Sequence, residues 1–215
     1  MKKKKLLIFD LDGTLINSKK DILISFNYSF KKNNFKTVNN YFFLKNAGLG
    51  SKYLIKKNCG PISELLLNKI NNDFKKFYFK QCIKNTLPKN GLFTFLKETK
   101  DRFYNVISTN KSETIAKKIL KKLNIFKFFD AIYGYDTLKY NKPDKRHLIK
   151  ILSDFSSNNR NSFFFGDSYI DYQMTRKANV KFFLLTNGYC SKINRIKPDF
   201  KIENYFKALK LVNNL

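Results

Sequence analysis

The sequence is poor in the side chains that many metal centres and acyl-transfer sites need. It contains one histidine, His147, three cysteines and no tryptophan. A single histidine excludes a multi-histidine metal site and leaves Ser-His-Asp and Cys-His mechanisms short of candidates. Within the helical pattern KRHLIKIL we expect His147 to be an ordinary helix residue. The scattered Cys59, Cys82 and Cys190 fit reduced thiols rather than a disulfide framework or a zinc site.

Long apolar runs are also missing. The opening MKKKKLLIF imitates a signal peptide, but its apolar run stops after four residues at Asp10, and no later run could span a membrane. We therefore expect a cytoplasmic protein without a membrane partner. With 215 residues, of which 43% are hydrophobic, the chain can form one domain with a sizeable insertion.

Acidic residues are scarce, numbering 16 against 43 Lys and Arg, which gives a formal net charge of +27. Such an excess suits nucleic-acid binding, because a basic surface releases counterions from phosphate backbones. However, the basic residues are 38 Lys and only 5 Arg, accompanied by 26 Asn, 23 Phe and 12 Tyr. Lys, Asn, Phe and Tyr share A/T-rich codons, and arginine is the usual reader of base edges. We expect no specific nucleic-acid partner; an RNA-binding or RNA-end-processing protein is the distant alternative.

Two kinds of segment alternate along most of the chain. Short apolar runs rich in β-branched and aromatic residues predict strands at 5–10, 104–109, 131–134, 162–167 and 180–185. Amphipathic stretches between them predict helices, among them 113–126 and 144–155. Apolar strands that alternate with helices imply an α/β fold, with a mostly parallel sheet covered by helices on both faces.

Residues 17–87 depart from this alternation. They show no convincing strand, but helical patterns occur at 21–32 and 62–84. A helical block inserted after the first strand predicts a second, smaller domain. We therefore divide the chain into a core of 1–16 and 88–215 and a small α-helical domain of 17–87.

Polar side chains follow three of the predicted strands. They are Asp10 and Asp12 after the first, Thr109 and Asn110 after the second, and Asp167 and Asp171 after the fourth. Open parallel sheets bind ligands at the carboxyl ends of their strands. Buried carboxylates that lie close together repel one another unless they are paired or bound to a metal. Four of only 16 acidic residues at these ends therefore predict a functional site.

The spacing of Asp10 and Asp12 suits phosphoryl transfer. Residues two apart on a strand share a face and lie roughly 6.6 Å apart, which leaves room for a phosphoryl group. One carboxylate can attack phosphorus while the other meets the leaving oxygen on the opposite side, and an aspartyl-phosphate is an established covalent intermediate. Mg²⁺ would relieve the repulsion, with ligands from Asp10, Asp167 and a backbone carbonyl.

Other groups fit the same chemistry. Gly13 permits a sharp turn that brings backbone amides towards the phosphate. The segment NKSE at 110–113 resembles a capping box, which predicts Thr109 and Asn110 at a helix N-terminus, where anions bind. Lys142 would neutralise phosphoryl oxygens as charge develops. No Walker A motif is present, because GLGSK at 48–52 lacks its spacing.

Four segments resemble, in order, the four motifs of the haloacid dehalogenase superfamily: FDLDGTL, VISTN, the Lys-Pro-Asp step at 142–144 and GDSYID. The helical insertion looks like that superfamily's cap domain. VISTNKSE, YGYDTLKYNKPD and LLTNGY further resemble its phosphoglycolate phosphatase-like branch. The resemblance spans about residues 5–210 and implies a Rossmann-like core that hydrolyses phosphomonoesters with Mg²⁺.

The resemblance also implies residue roles. Asp10 would be the nucleophile, and Asp12 would be the general acid and then the general base for the hydrolytic water. Thr109 and Lys142 would hold the phosphoryl group. An aspartate at position 12 argues against dehalogenation, because haloacid dehalogenases lack one there.

The implied Mg²⁺ ligands are Asp10, the carbonyl of Asp12 and Asp167. Asp171 would be a further ligand or would lie just outside the ligand set. Because Ser168-x-x-Asp171 is itself a capping-box pattern, a purely structural role for Asp171 stays open.

The expected substrate is a small phosphorylated metabolite, with 2-phosphoglycolate favoured. A sugar phosphate, a 5′-nucleotide and a phosphoglucomutase-like reaction are the alternatives, which differ in the cap. In the NAGLGS segment, Gly48 and Gly50 shape either a substrate-facing loop or an ordinary turn. Lys52, beside this segment, is a candidate for binding a substrate carboxylate. We expect a monomer or a homodimer.

Overall fold

The computed structural model describes residues 4–189 and 193–214, so Cys190 lies outside the described residues. The chain forms two compact units. One comprises the chain up to Asn17 together with the chain from Leu87 onwards, and the other is Ser18–Thr86. Within the described ranges, no helix has the length and apolar character that crossing a membrane requires.

Strands and helices alternate in the larger unit. The strands are β1 (Lys5–Phe9), β2 (Ile16–Asn17), β3 (Leu87–Pro88), β4 (Phe103–Ser108), β5 (Ala131–Tyr133), β6 (Ser162–Gly166), β7 (Lys181–Leu185) and β8 (Phe200–Ile202). The helices are α1 (Lys19–Lys32), α2 (Asn40–Asn46), α3 (Ser51–Cys59), α4 (Glu64–Gln81), α5 (Leu92–Thr99), α6 (Glu113–Lys122), α7 (Lys145–Asp154), α8 (Tyr169–Lys177) and α9 (Tyr205–Val212). Helices α1–α4 belong to the smaller unit.

The larger unit is built on a six-stranded sheet with the order β5-β4-β1-β6-β7-β8, in which every pair of neighbours is parallel. The chain extends the sheet from β1 to one side through β4 and β5, and then to the other side through β6, β7 and β8. The carboxyl end of β1 is therefore a switch point, where such sheets bind ligands. This architecture confirms the predicted α/β, Rossmann-like fold class.

One face of the sheet carries a row of stacked phenylalanines. Phe9, Phe165, Phe183 and Phe200 are register partners on adjacent strands, with ring centroids 4.8, 4.4 and 4.3 Å apart in that order. Neighbouring strands lie about 4.8 Å apart, which is a suitable spacing for aromatic rings to stack. Phe95 of α5 packs against Phe165 at 5.7 Å. The abundant phenylalanine thus stabilises the strands that carry the site.

The opposite face packs apolar side chains against α7 and α8. This cluster includes Leu6, Ile8, Val106, Phe164, Leu148, Ile151 and Met174, all fully buried. Asp144 caps α7, because its side chain accepts a hydrogen bond from the Arg146 N–H.

The predicted helix 113–126 is shorter than expected: α6 ends at Lys122, since Asn124 adopts a left-handed φ of 57°.

Two short strands lie where the chain passes into and out of the insertion. Ile16–Asn17 pairs antiparallel with Leu87–Pro88, so these two segments of the larger unit run side by side. The sequence predicts no strand here, because two residues are too few to show an alternating pattern. β8 was also missed, being a three-residue edge strand.

The smaller unit is helical throughout its regular structure. The aromatic rings of Phe26 on α1 and Phe74 on α4 stack with centroids 4.0 Å apart. Near the start of α1, the buried Asp21 carboxylate accepts hydrogen bonds from the Asn85 N–H at 2.9 Å and the Thr86 hydroxyl at 2.9 Å. Asp21 thus ties the beginning of this unit to its end.

Candidate active site

Three adjacent strands end at one edge of the sheet and carry predicted site residues. Asp10 follows β1, Thr109 follows β4 and Asp167 follows β6. The Asp10 N–H donates to the Phe165 carbonyl at 2.8 Å, and the Thr109 N–H donates to the Tyr133 carbonyl at 2.9 Å. Because these bonds continue the pairing of the strands, the sheet itself fixes where Asp10 and Thr109 stand.

Asp10, Asp167 and Asp171 form a buried acidic cluster, in which one carboxylate oxygen of each lies within 4.8 Å of the others. Lys142 enters this cluster from a loop. Its Nζ lies 2.5 Å from Asp10 Oδ1 and 2.7 Å from Asp171 Oδ1, and its side chain is only 4% exposed. The structure thus brings together four residues that the sequence analysis selected from three distant segments.

The protein groups alone leave this cluster short of positive charge. Burial raises the pKa of Asp10 well above its usual value, although the Lys142 ammonium opposes the shift. Burial, with the charge of Asp171, raises the pKa of Asp167 to about 7. For Lys142, burial lowers the pKa, but the charges of Asp10 and Asp171 outweigh it and hold the pKa above its ordinary value. A buried set of carboxylate oxygens in need of a cation fits Mg²⁺ by its chemistry.

Asp167 is held by hydrogen bonds from two loops. The Thr14 hydroxyl donates to Oδ1 at 3.2 Å, and the Tyr189 N–H donates to Oδ2 at 2.5 Å. A Cβ at Gly13, where φ is +87°, would collide with the Asp167 carboxylate and lie 3.1 Å from the Tyr189 ring. The N–H of Gly13 donates to the Ile16 carbonyl, so this amide does not point at a ligand and the contribution of Gly13 is the turn.

Asp12 pairs with a lysine that the sequence analysis did not select. Lys111 Nζ lies 3.0 Å from Asp12 Oδ2, and the two side chains are 7% and 24% exposed. Lys111 comes two residues after Thr109, directly after the second motif. This position in the sequence is the signal that could have identified it.

The predicted capping box at 110–113 is wrong. The N-cap of α6 is Ser112, whose side chain accepts from the Ile115 N–H, and the helix begins at Glu113. Thr109 and Asn110 therefore lie in the loop before the helix and do not form its terminus. Asn110 Nδ2 donates to the Lys142 carbonyl at 3.4 Å, which joins this loop to the one that carries Lys142.

Asp171 has two kinds of partner. Its Oδ2 accepts from the Ser168 N–H at 3.2 Å and from the Ser168 hydroxyl at 2.6 Å, which completes a capping box at the start of α8. Its Oδ1 is the oxygen that faces Lys142. Asp171 thus both caps a helix and belongs to the acidic cluster.

His147 lies on α7, as expected, and both of its ring nitrogens have partners. Its Nε2 lies 2.9 Å from the Ser108 hydroxyl and its Nδ1 lies 2.8 Å from the Tyr140 carbonyl. Burial lowers the pKa of His147 to about 4. A neutral imidazole that donates from Nδ1 and accepts at Nε2 satisfies both partners. It links the end of β4 to the loop that leads to Lys142.

The sequence and the fold have counterparts among known proteins. The chain matches the family described as haloacid dehalogenase-like hydrolase over residues 7–185. The chain belongs to this family and is a phosphatase of the haloacid dehalogenase type. A solved structure from Haemophilus somnus, described as a predicted phosphoglycolate phosphatase, has the same fold, with a TM-score of 0.89, 24% identity and 99% of both chains covered.

Two curated relatives carry more particular names. The chain is 29% identical to a phosphoglycolate phosphatase of Aquifex aeolicus over 211 residues, which cover 98% of this chain and 97% of the relative. It is 25% identical to a pyrophosphatase PpaX of Listeria monocytogenes over an alignment of 224 positions, which covers 97% of this chain and 96% of the relative.

Proposed function

We propose that the protein hydrolyses a small phosphomonoester with Mg²⁺ through an aspartyl-phosphate, and that 2-phosphoglycolate is the favoured substrate. The observation that carries this proposal is the buried Asp10 carboxylate at the switch point, paired with Lys142 and set beside Asp167. A nucleophile, a cation for phosphoryl oxygens and a carboxylate set for a hard metal ion are the parts that phosphoryl transfer needs.

Asp10 would carry out the nucleophilic attack, and Asp12 would carry out the proton transfers. An Asp10 carboxylate oxygen bonds to phosphorus as the ester P–O bond breaks, and Asp12 gives its proton to the departing oxygen. Asp12 then takes a proton from a water molecule, which attacks phosphorus and releases phosphate from Asp10. The partial exposure of Asp12 supports this role, because leaving group and water must both reach it.

Thr109 and Lys142 would hold the phosphoryl group. The Thr109 side chain is buried at the strand end, and its Oγ accepts from the Lys111 N–H at 3.2 Å, so the hydroxyl proton is available to a phosphoryl oxygen. Lys142 places an ammonium beside the nucleophile, where it would stabilise charge on the phosphoryl oxygens. Asn110 would fix the Lys142 loop.

Mg²⁺ would be held by Asp10, Asp167 and the carbonyl of Asp12. When bound, it would neutralise charge on the phosphoryl oxygens and on the carboxylates. Asp171 uses one oxygen for the cap of α8 and the other for Lys142. This favours Asp171 as the residue that holds Lys142, with metal ligation as the second possibility.

The relatives support two substrate classes. Phosphoglycolate phosphatases among them favour 2-phosphoglycolate, and pyrophosphatases PpaX make inorganic pyrophosphate the second candidate. Sugar phosphates and 5′-nucleotides stay as alternatives from the sequence.

We further propose that the unit 18–86, inserted shortly after Asp12, acts as a cap that restricts the size of the substrate. The cytoplasmic location and the monomeric or homodimeric state remain predictions.

A phosphate-release assay over a panel of substrates tests the proposal. The panel is 2-phosphoglycolate, pyrophosphate, a hexose phosphate, a 5′-nucleotide and a phosphopeptide, each with Mg²⁺ and with a chelator. We expect Mg²⁺-dependent release from 2-phosphoglycolate and little from the phosphopeptide. Full activity in chelator would refute the metal assignment, and efficient turnover of the phosphopeptide would refute the restrictive cap.

A further inference from the structure

Lys111 is a partly buried cation that the proposed reaction does not yet use. Its side chain is 7% exposed and its Nζ pairs with Asp12 at 3.0 Å. Other lysines in ion pairs lie at the surface, for example Lys117 and Lys207, whose side chains are 45% and 52% exposed. Removing an ammonium from water is costly, and an ion pair whose carboxylate is partly exposed contributes little net stability. Stability alone therefore gives no reason for a lysine at this position.

Lys142 and Lys111 pair with different carboxylates of the site. Lys142 pairs with Asp10, the proposed nucleophile, and thus lies on the side of the phosphoryl group. Lys111 pairs with Asp12, the carboxylate that is proposed to protonate the leaving oxygen. The Lys111 ammonium is therefore one hydrogen bond from the group that meets the leaving oxygen, which places it on the leaving-group side.

We infer that Lys111 binds an anionic group on the leaving group and so selects substrates that carry negative charge beside the scissile bond. The inference rests on the proposed function and deepens it. Two small leaving groups carry such a charge: the carboxylate of glycolate, and the second phosphate of pyrophosphate. A lysine ammonium is a compact point charge that pairs with either anion. Their shared chemistry is an anion next to the departing oxygen.

The test compares Lys111→Met with wild type on three substrates. They are 2-phosphoglycolate, pyrophosphate and ethyl phosphate, which has the two carbons of phosphoglycolate but no carboxylate. Loss of one charge-assisted hydrogen bond predicts a fall of about 10- to 100-fold in the kcat/KM ratio of an anionic substrate to ethyl phosphate. The change should lie mainly in KM, and Lys111→Arg should recover much of it.

Lys117→Met is the matched control, because Lys117 lies on α6, pairs with Glu113 and is half exposed. It should leave the ratio unchanged. Lys52→Met tests the competing candidate from the sequence, whose side chain is exposed. A fall in the ratio for Lys52→Met and none for Lys111→Met would overturn the inference, as would an equal effect of Lys111→Met on all three substrates. A fall for only one anionic substrate supports the inference and identifies the anion.

A binding measurement separates this inference from the proposed function. In Asp10→Asn, which should not turn over, 2-phosphoglycolate should raise the melting temperature more than ethyl phosphate does. Adding Lys111→Met should remove the difference; an undiminished difference would overturn the inference. If wild type hydrolyses none of the substrates, the proposed function fails. If 2-phosphoglycolate still raises the melting temperature more than ethyl phosphate does, and this depends on Lys111, the inference of an anion site is supported nevertheless. Lys111→Gln replaces Lys111→Met if the latter does not fold.

Discussion

Lys142 and Asp10 are 132 residues apart in the chain, yet Lys142 Nζ lies 2.5 Å from Asp10 Oδ1 in a buried setting. The same ammonium lies 2.7 Å from Asp171 Oδ1. One side chain thus compensates two carboxylates that would otherwise repel each other. In the proposed reaction it also lies where phosphoryl oxygens would accumulate charge, so the contacts that hold the carboxylates together would also serve catalysis.

Replacing Lys142 by Met should lower kcat by about 10²- to 10³-fold, the usual effect of removing one preorganised electrostatic group. Lys142→Arg should lower kcat by less, because arginine keeps the positive charge although its side chain has a different shape. Lys150→Met is the control, since Lys150 forms an exposed pair with Asp154. Steady-state kinetics on 2-phosphoglycolate would measure this, and a Lys142→Met rate near that of wild type would exclude Lys142 from the site.

Asp10→Asn should abolish turnover while leaving the fold intact, because a neutral amide cannot form the acyl-phosphate. Asp12→Asn should also be severely impaired, since protonation of the leaving group and activation of water both need its carboxyl group. Phosphate release and circular dichroism would be measured together. Release by Asp10→Asn near the wild-type rate would contradict its assignment as nucleophile.

Mg²⁺ should stabilise the protein more at high pH than at low pH. The pKa of Asp167 is raised from 3.8 to about 7 in the folded state without a metal. Between these two pH values the folded state therefore keeps a proton that the unfolded state has lost. The contribution of Asp167 to stability is therefore present below about pH 4 and lost as pH rises through about 7. Mg²⁺ binds the ionised form and would reverse that loss.

Melting temperatures with and without Mg²⁺, measured at about pH 5 and about pH 8, would check this dependence. Asp167→Asn should remove most of the effect of Mg²⁺. Asp154→Asn, at a surface ion pair, is the control that should keep it. An effect of Mg²⁺ that is larger at the lower pH would contradict the prediction.

His147 should make the protein less stable as pH falls from about 6.5 to about 4. Burial lowers its pKa to about 4, so between these values the unfolded state binds a proton that the folded state does not. A shift of this size corresponds to a free energy on the order of 3 kcal/mol. Chemical denaturation of wild type and His147→Gln over this range would measure it, and parallel pH profiles would count against it.

Nucleic acid should bind weakly, without sequence preference, and with strong dependence on salt. The many lysines supply attraction to phosphate, and the few arginines supply little reading of bases. Fluorescence anisotropy with several RNA and DNA oligonucleotides at increasing salt would test this. Tight binding at physiological salt with a clear preference would instead favour the RNA-binding alternative.

Much of the fold and part of the site could be read from local sequence. The run LLIF before Asp10 and the run FFFG before Asp167 predict buried strands, because each is short, apolar and followed by a carboxylate. Parallel strands end at a common edge, so the carboxylates that follow them must meet. The start of α6 could not be predicted from local sequence. Asn110 and Ser112 are both residue types that suit an N-cap, and only the path of the backbone makes Ser112 the cap.

The sequence by itself determined the α/β alternation, the helical insertion and the identity of the strand-end carboxylates, since these depend on periodicity and on nearest neighbours. Only the tertiary structure decided which charges pair. Lys142 could be selected from its motif, but its pairing with Asp10 and the pairing of Lys111 with Asp12 depend on the folded structure. Ion pairing is a property of distance and burial, and both are set by how the loops between distant strands close over the end of the sheet.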